Sequence, residues 1–269
     1  MRHLTSIKRA TSLALVAICL PSGRAQGVLS DLLARLASGP FDESVLYSLE
    51  AQPPDPRTMP ALKLAFEHGK TAEEKQWIAA TLLRLGENSS TYFDYLAGLA
   101  KEAIEDRTPF FIKYDNAGNA IEGQFDTGFL NWCAQNHKDP REIARIQFSV
   151  YLKDVRMLAY AQDPRAVELL RLGLESPNEL VVVYSVEGLG RLHDGAALPL
   201  IAKALDHAQN GARTAIAEQL CWFRLPEAER LMERFIPDPH VRDFSRRQIQ
   251  MLQISEENRL MRRTGKPMQ

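Results

Sequence analysis

The chain has 269 residues, of which 45% are hydrophobic and 25% charged, and 33 basic against 34 acidic side chains give a formal net charge of −1. This length and composition are ordinary for a globular protein with one large core or two modest domains, and they exclude a wholly disordered chain. The charge balance also argues against general nucleic-acid binding, because such proteins are usually basic.

Residues 1–25 have the layout of a secretory signal peptide. A basic start with Arg2, Lys8 and Arg9 precedes a short apolar stretch, and small residues stand at Gly23 and Ala25, where a cleavage site needs them. We therefore expect an exported protein, periplasmic or extracellular. A frayed apolar helix is the alternative. No other apolar run approaches the about 20 residues that span a bilayer, so we expect no integral membrane segment in the mature chain.

Residues 26–107 are predicted to form divergent helical repeats. The stretches DPRTMPALKLAF, residues 55–66, and KQWIAATLLRLG, residues 75–86, have the pattern of two consecutive helices. Between them, residues 68–71 (HGKT) end like a phosphate-binding loop. Leu64 stands where that motif needs a glycine, so we interpret residues 68–71 as a connection between helices.

Residues 108–127 break the helical pattern and predict a β-hairpin insertion. Apolar residues alternate on both sides of the turn-forming sequence DNAG, which favours a type I turn with a bulge at Gly118. A calcium loop starting at Asp115 fails, because Ala120 and Asp126 stand where glycine and glutamate are required. An isolated hairpin is marginal in water, so we expect this one to pack on the helices that follow.

Two roles of the hairpin remain open. It is either a structural plug between two helical halves or a finger that binds a partner, because insertions on one face of a repeat protein often carry binding. The candidate partner-binding residues are Phe110, Phe111, Tyr114, Phe125 and Trp132.

Residues 128–237 contain a repeat with a spacing of 31 residues. A fixed period of this size is typical of stacked helical repeats. Asp-Pro-Arg at residues 55, 139 and 163, and Asp-Pro at 238, are predicted helix starts, since Asp caps free N–H groups and Pro suits the first turn. The aligned columns are Ala166, Ala197 and Ala228; Leu169, Leu200 and Leu231; Leu170, Ile201 and Met232; Leu189, Leu220 and Met251; and Leu192, Phe223 and Ile254.

DPRAVELLRLGL and VVVYSVEGLGRL, within residues 163–192, resemble the short HEAT repeats that also occur in bilin-lyase-related proteins. The resemblance implies an all-α fold, an α-solenoid of antiparallel helix pairs, with the small β-hairpin as an insertion. It also implies a scaffold for protein–protein contacts and carries no catalytic residue over. In a solenoid each unit touches its neighbours, so Cys133 and Cys221 should remain two separate thiols.

Residues 238–269 are predicted to form a C-terminal capping helix with a frayed tail. A cap needs a polar outer face, and the expected apolar side consists of Val241, Phe244, Ile249, Leu252 and Ile254. An excess of basic residues leaves a second interpretation, a surface for an acidic partner or anionic lipid.

The sequence thus predicts a non-catalytic, exported scaffold for an unknown protein partner. We assign no catalytic, cofactor-binding or metal-binding residue, since the histidines are scattered and no HExxH, GxSxG or CxxC motif is present. The alternative is a ligand carrier or a lyase-like enzyme, with a pocket bordered by Trp132, Cys133 and His137.

Overall fold

The computed structural model of the protein describes residues 22–115 and 120–264. These residues form an assembly of helices with one two-stranded antiparallel sheet, which confirms the predicted all-α class and its small hairpin. Most of the predicted signal peptide and residues 116–118 of the predicted turn sequence DNAG lie outside the described residues. The cleavage-site residues Gly23 and Ala25 fall within the first turns of the first helix.

The first half of the chain contributes eight α-helices and the hairpin within the described residues. A π-helical segment, Gln147–Tyr151, joins the seventh helix to the eighth. The elements are α1 Ser22–Ser38, α2 Glu43–Glu50, α3 Thr58–His68, α4 Ala72–Arg84, α5 Ser90–Glu105, β1 Ile112–Tyr114, β2 Ala120–Phe125, α6 Thr127–Gln135, α7 Pro140–Ile146 and α8 Leu152–Ala161.

The second half contains three helix pairs that match the sequence repeat. Short 3₁₀ turns at Pro164–Ala166 and Gly195–Ala197 lead into the first helix of two pairs. The helices are α9 Val167–Gly173, α10 Glu179–Arg191, α11 Leu198–His207, α12 Asn210–Glu218, α13 Pro226–Phe235 and α14 Pro239–Thr264.

The main core runs through both halves of the chain, with α8 and α10 packed against each other at its centre. In the first helices of the repeats, the alanine column and the column of Leu170, Ile201 and Met232 are fully buried, so their predicted register is confirmed. The glycines of the EGLG sequence allow close approach: a Cβ on Gly188 would lie 2.7 Å from Leu170 Cδ1, and one on Gly190 would lie 2.5 Å from Trp222 Cβ. These are distances that real Cβ atoms do not adopt.

The aspartates of the Asp-Pro sequences cap helical turns as predicted. Asp139 and Asp163 accept hydrogen bonds from the backbone N–H two residues on, at 2.8 and 2.9 Å. Asp163 also holds the side chain of Arg165 at 2.7 Å. Each aspartate therefore fixes a helix start with its carboxylate, as the free N–H groups at a helix N-terminus require.

Helix α14 differs in part from the predicted pattern. Met251 and Ile254, which the 31-residue period aligns with the buried Leu220 and Phe223, are exposed, and so are Phe244 and Leu252 of the expected apolar side. The residues that face the protein are mostly polar, and we call them the inner face of α14: Ser245, Ile249, Gln253, Glu256 and Leu260. The prediction is therefore confirmed for Ile249, which is buried, and for Val241, which packs on the main core, and it is wrong for Phe244, Leu252 and Ile254.

Those charges form a network beneath α14. Arg191 of α10, whose side chain is 7% exposed, binds Glu187 at 2.8 Å and Glu256 of α14 at 2.5 Å. Its guanidinium stacks over the Trp222 ring, 3.8 Å from the centroid. Burial alone would raise the pKa of Glu256, but the guanidinium groups of Arg191 and Arg84 hold that pKa below its usual value. The carboxylate is therefore kept charged inside the protein.

The network continues to the N-terminal half through Glu50 of α2. Its buried carboxylate accepts from Tyr160 Oη at 3.0 Å and from Arg84 Nε at 3.2 Å. Arg259 of α14 pairs with the same carboxylate at 3.5 Å. Helix α14 is thus joined by ion pairs to residues of α2 and α10. We call the paired residues the buried charge network: Glu50, Arg84, Glu187, Arg191, Glu256 and Arg259.

The core register predicts the effect of a single truncation. Leu170→Ala removes a fully buried side chain and should lower the free energy of unfolding by about 2–5 kcal/mol, through lost burial and the cavity left behind. Leu172, two residues on and 56% exposed, provides the matched control. Leu172→Ala should change it by less than about 0.5 kcal/mol. Equal losses in urea unfolding would contradict the register.

Candidate functional site

The hairpin pairs β1 with β2 in an irregular register. Ile112 faces Phe125 and Tyr114 faces Ala120, so β2 carries extra residues between the two pairs. Gly123 lies in this bulge with a φ of +74°, a conformation that side chains other than glycine rarely adopt. The bulge bends the hairpin, as such insertions do in short ladders.

The base of the hairpin packs on α6 and α7 through an aromatic cluster. We call it the hairpin cluster: Phe111, Phe125, Phe129, Trp132, Cys133, Ile143 and Ala144. Phe125 and Phe129 lie edge to face with ring centroids 5.5 Å apart, and Phe111 lies 6.3 Å from Phe129. Such pairs contribute about 0.5–1.5 kcal/mol beyond their buried area. The cluster is separate from the main core and gives the hairpin its own support.

Polar contacts fasten the hairpin to the helical body. Tyr114 Oη donates to Glu179 Oε2 at 3.0 Å, and the other carboxylate oxygen accepts from the backbone N–H of Gln209 at 3.3 Å. Burial raises the pKa of Tyr114, and the negative charge of Glu179 raises it further. Burial also raises the pKa of Glu179. The hairpin is thus held at both its base and its β1 end.

The π-helical segment brings additional aromatic surface to the cluster. Gln147 is buried and donates through Nε2 to the carbonyls of Thr108 and Pro109, at 3.3 and 3.0 Å. Phe148 next to it is 54% exposed, yet its ring lies 6.5 Å from that of Phe111. Single π-helical turns are frequent at functional sites. Here the turn presents an exposed ring beside the hairpin cluster.

The five predicted partner-binding residues fall in different environments. Phe110 is buried, so its side chain is part of the packing. Phe111, Phe125 and Trp132 are half-buried in the hairpin cluster, and Tyr114 is half-buried on Glu179. Because the rings of Phe110 and Phe111 lie 5.1 Å apart, the structure brings four of the five together at the base of the hairpin and places Tyr114 apart from them. Phe148 was not predicted as part of this surface, because helical periodicity alone does not identify it as a neighbour of the hairpin.

The residues considered for phosphate binding or catalysis lie at the ends of helices. Thr71, from the rejected phosphate-loop sequence, caps α4 by accepting from the backbone N–H of Glu74 at 3.1 Å. His137 and His193 end α6 and α10 in left-handed backbone conformation. Among the described residues, no group of three or more His, Cys, Asp or Glu side chains could hold a metal ion.

The two described cysteines are both free, as predicted. Cys133 is buried in the hairpin cluster, where burial raises the pKa of its thiol. Burial and the negative charge of Glu229 raise the pKa of Cys221 to about 11. Both thiols are therefore protonated at neutral pH. A cavity of about 280 Å³ lies elsewhere, lined by residues that include Pro54, Met59 and Arg263 but none of the pocket predicted at residues 132–137.

A buried carboxyl on α8 has an unusual protonation equilibrium. Asp154 accepts a hydrogen bond from Gln76 Nε2 of α4, and burial raises its pKa to about 6. The folded protein therefore binds a proton more tightly than the unfolded chain. This contribution to stability is complete below the unfolded value of 3.8 and is lost as the pH rises through about 6.

Comparison with protein-family models, with curated proteins and with solved structures finds no match to this chain. Within the part of the chain that the structure describes, none of the helices is both long and apolar enough to cross a bilayer.

The pKa of Asp154 leads to a pH-dependent prediction. Asp154→Asn keeps an acceptor for Gln76 but removes the titration. The difference in unfolding free energy, variant minus wild type, should increase by about 2–3 kcal/mol when the pH is raised from about 4 to about 7.5, because only the wild type loses stability over this range. Urea unfolding at both pH values measures this difference. Asp94→Asn, an exposed control on α5, should show no such gain. A difference for Asp154→Asn that does not change with pH would contradict the raised pKa.

Proposed function

We propose that this chain is a short, exported α-solenoid of HEAT-like helix pairs that acts as a non-catalytic scaffold for a protein partner. The solenoid arrangement is supported by the buried alanine and leucine columns, which repeat from α9 to α11 and α13. Repeat stacks of this kind join each helix pair to its neighbours in one continuous core. Export is supported by the basic, apolar and small residues of the first 25 positions.

The observation that carries the binding proposal is the exposed ring of Phe148 against the hairpin cluster. Aromatic side chains in a well-supported setting are the usual anchors of protein interfaces. Phe148 and Val150 are both exposed on the π-helical segment, and the Phe148 ring lies 6.5 Å from that of the half-buried Phe111. A partner that covers this surface would bury apolar area on a framework that is already ordered. This protein would therefore lose little conformational entropy when the partner binds.

The two roles predicted for the hairpin combine in this proposal. Its base, formed by Phe111 and Phe125, packs on Phe129 and acts as a plug. The proposed contact region consists of the exposed Phe148 and of the solvent-accessible parts of the half-buried Phe111 and Trp132. We refer to these three residues as the proposed contact surface.

Photo-crosslinking tests the proposal in the native host. A benzophenone amino acid replaces Phe148 in the full chain, and the same group at Leu64 of α3, which is also exposed, is the matched control. We expect an adduct with a specific protein at position 148 and not at position 64. Trp132→Ala in the same background should reduce the adduct several-fold, because Trp132 belongs to the proposed contact surface.

Two outcomes would contradict this function. Equal adducts at positions 148 and 64 would show nonspecific contact. A small molecule bound to the purified chain, with no adduct at position 148, would favour the ligand-carrier alternative.

A further inference from the structure

The outward side of α14 has the residue spacing of a coiled-coil seam. Six residues between positions 244 and 261 follow one another at intervals that alternate between three and four, which is the spacing of the a and d positions of a heptad repeat. All six are exposed, and Met251 is 66% exposed. They extend over about 26 Å of helix. We call them the outer seam: Phe244, Arg247, Met251, Ile254, Asn258 and Met261.

The outer seam lies on the exposed side of α14. The inner face of α14 makes the contacts to the body: Ser245 donates to Glu218 at 2.8 Å, and Gln253 donates to the carbonyl of Cys221 at 3.3 Å. Single exposed apolar residues need no explanation. Four along one stripe of a helix, separated in two places by Arg247 and Asn258, form an apolar surface of the kind that marks an interaction site.

We propose that the outer seam pairs in antiparallel orientation with the outer seam of a second copy of this chain. One register brings every a position opposite a d position. In it, Phe244 meets the partner's Met261, and Met251 meets the partner's Ile254. The remaining layer places Arg247 opposite the partner's Asn258. The arrangement is a closed two-fold dimer, because each contact occurs twice with the roles exchanged.

Charge selects the antiparallel orientation. Parallel pairing in register would place Arg247 against the partner's Arg247, and two like charges in a seam repel. The antiparallel register replaces that contact with an arginine beside an amide, whose carbonyl can accept the guanidinium N–H. A polar pair in a seam also fixes the register, at some cost in affinity.

The same surface fits a lipid bilayer less well. Helices that lie on anionic membranes flank their apolar face with many Lys or Arg side chains. The residues beside the outer seam include one cation, Arg262. The others are uncharged or acidic: Asp243, Gln248, Gln250, Ser255 and Glu257.

The dimer should be reversible. One helix face is smaller than the about 800 Å² per partner of a standard interface, so association should depend on concentration in the micromolar range. Sedimentation of the full chain from about 1 to about 100 µM measures it. The seam variant Met251→Glu/Ile254→Glu should raise the dissociation constant at least about tenfold. The control Leu64→Glu/Leu172→Glu adds the same charge at exposed sites on α3 and α9 and should leave it unchanged.

Disulfide crosslinking tests the register independently of the glutamate variants. Phe244→Cys and Met261→Cys chains are prepared separately and then mixed under oxidising conditions. The antiparallel register predicts a crosslink in the mixture and little in either chain alone, because positions 244 and 244 lie about 25 Å apart. Wild type controls for the native cysteines.

Several results would overturn the proposal. These are a wild type that stays monomeric at all concentrations, a glutamate seam variant that dimerises like wild type, and Phe244→Cys chains that crosslink to themselves. A monomeric wild type that floats with phosphatidylserine vesicles would assign the seam to a membrane. If the glutamate variant does not fold, the crosslinks decide, since each cysteine replaces one exposed side chain.

Discussion

The buried charge network under α14 is the constraint on which the rest of the structure depends. Arg191 and Glu50 are charged residues in the interior of the protein, with side chains 7% and 5% exposed. Buried charges are costly unless each is paired and hydrogen-bonded. Glu256 and Arg259 supply that pairing from α14. The C-terminal helix is therefore held by electrostatic complementarity in addition to the apolar contacts of Val241 and Ile249.

This constraint explains why Glu256 and Arg259 of α14 face the body of the protein. If the apolar residues of α14 faced inward, the guanidinium of Arg191 would lose Glu256 and remain buried with less compensation. With the polar residues inward, Phe244, Met251 and Ile254 must face solvent. The exposed outer seam is thus a direct consequence of the network. The same arrangement links α14 to α2, so the two ends of the described chain are joined and their stabilities should be coupled.

Much of the fold was predictable from local physics. Asp139 and Asp163 mark helix starts because an aspartate before proline can cap free N–H groups, and the structure shows both caps. The hairpin followed from alternation around turn residues. The buried columns through Leu170, Ile201 and Met232 followed from a fixed period. These features depend on residues close in sequence or on a pattern that each unit repeats.

The failures share a physical cause. The expected burial of Met251 and Ile254 assumed that apolar residues face the core, whereas pairs such as Arg191 with Glu256, 65 residues apart, decided the orientation. No local pattern reports such a pairing. Phe148 was missed for a similar reason. Its outward position depends on a π-helical turn held by Gln147 and the carbonyl of Pro109, on a segment 38 residues earlier. The candidate site was therefore predicted in part: the hairpin aromatics were found, and their helical neighbour was not.

The most direct test of this account is the unfolding free energy of Glu256→Gln compared with Glu257→Gln. The two residues are adjacent on α14, and each pairs with an arginine, but Glu256 is 11% exposed and Glu257 is 27% exposed. We expect a loss of about 3 kcal/mol or more for Glu256→Gln, because it removes one of the two carboxylates that pair with the buried guanidinium of Arg191. Glu257→Gln should cost less than about 1 kcal/mol. Similar small losses for both variants would contradict the claim that the buried charge network holds α14 in place.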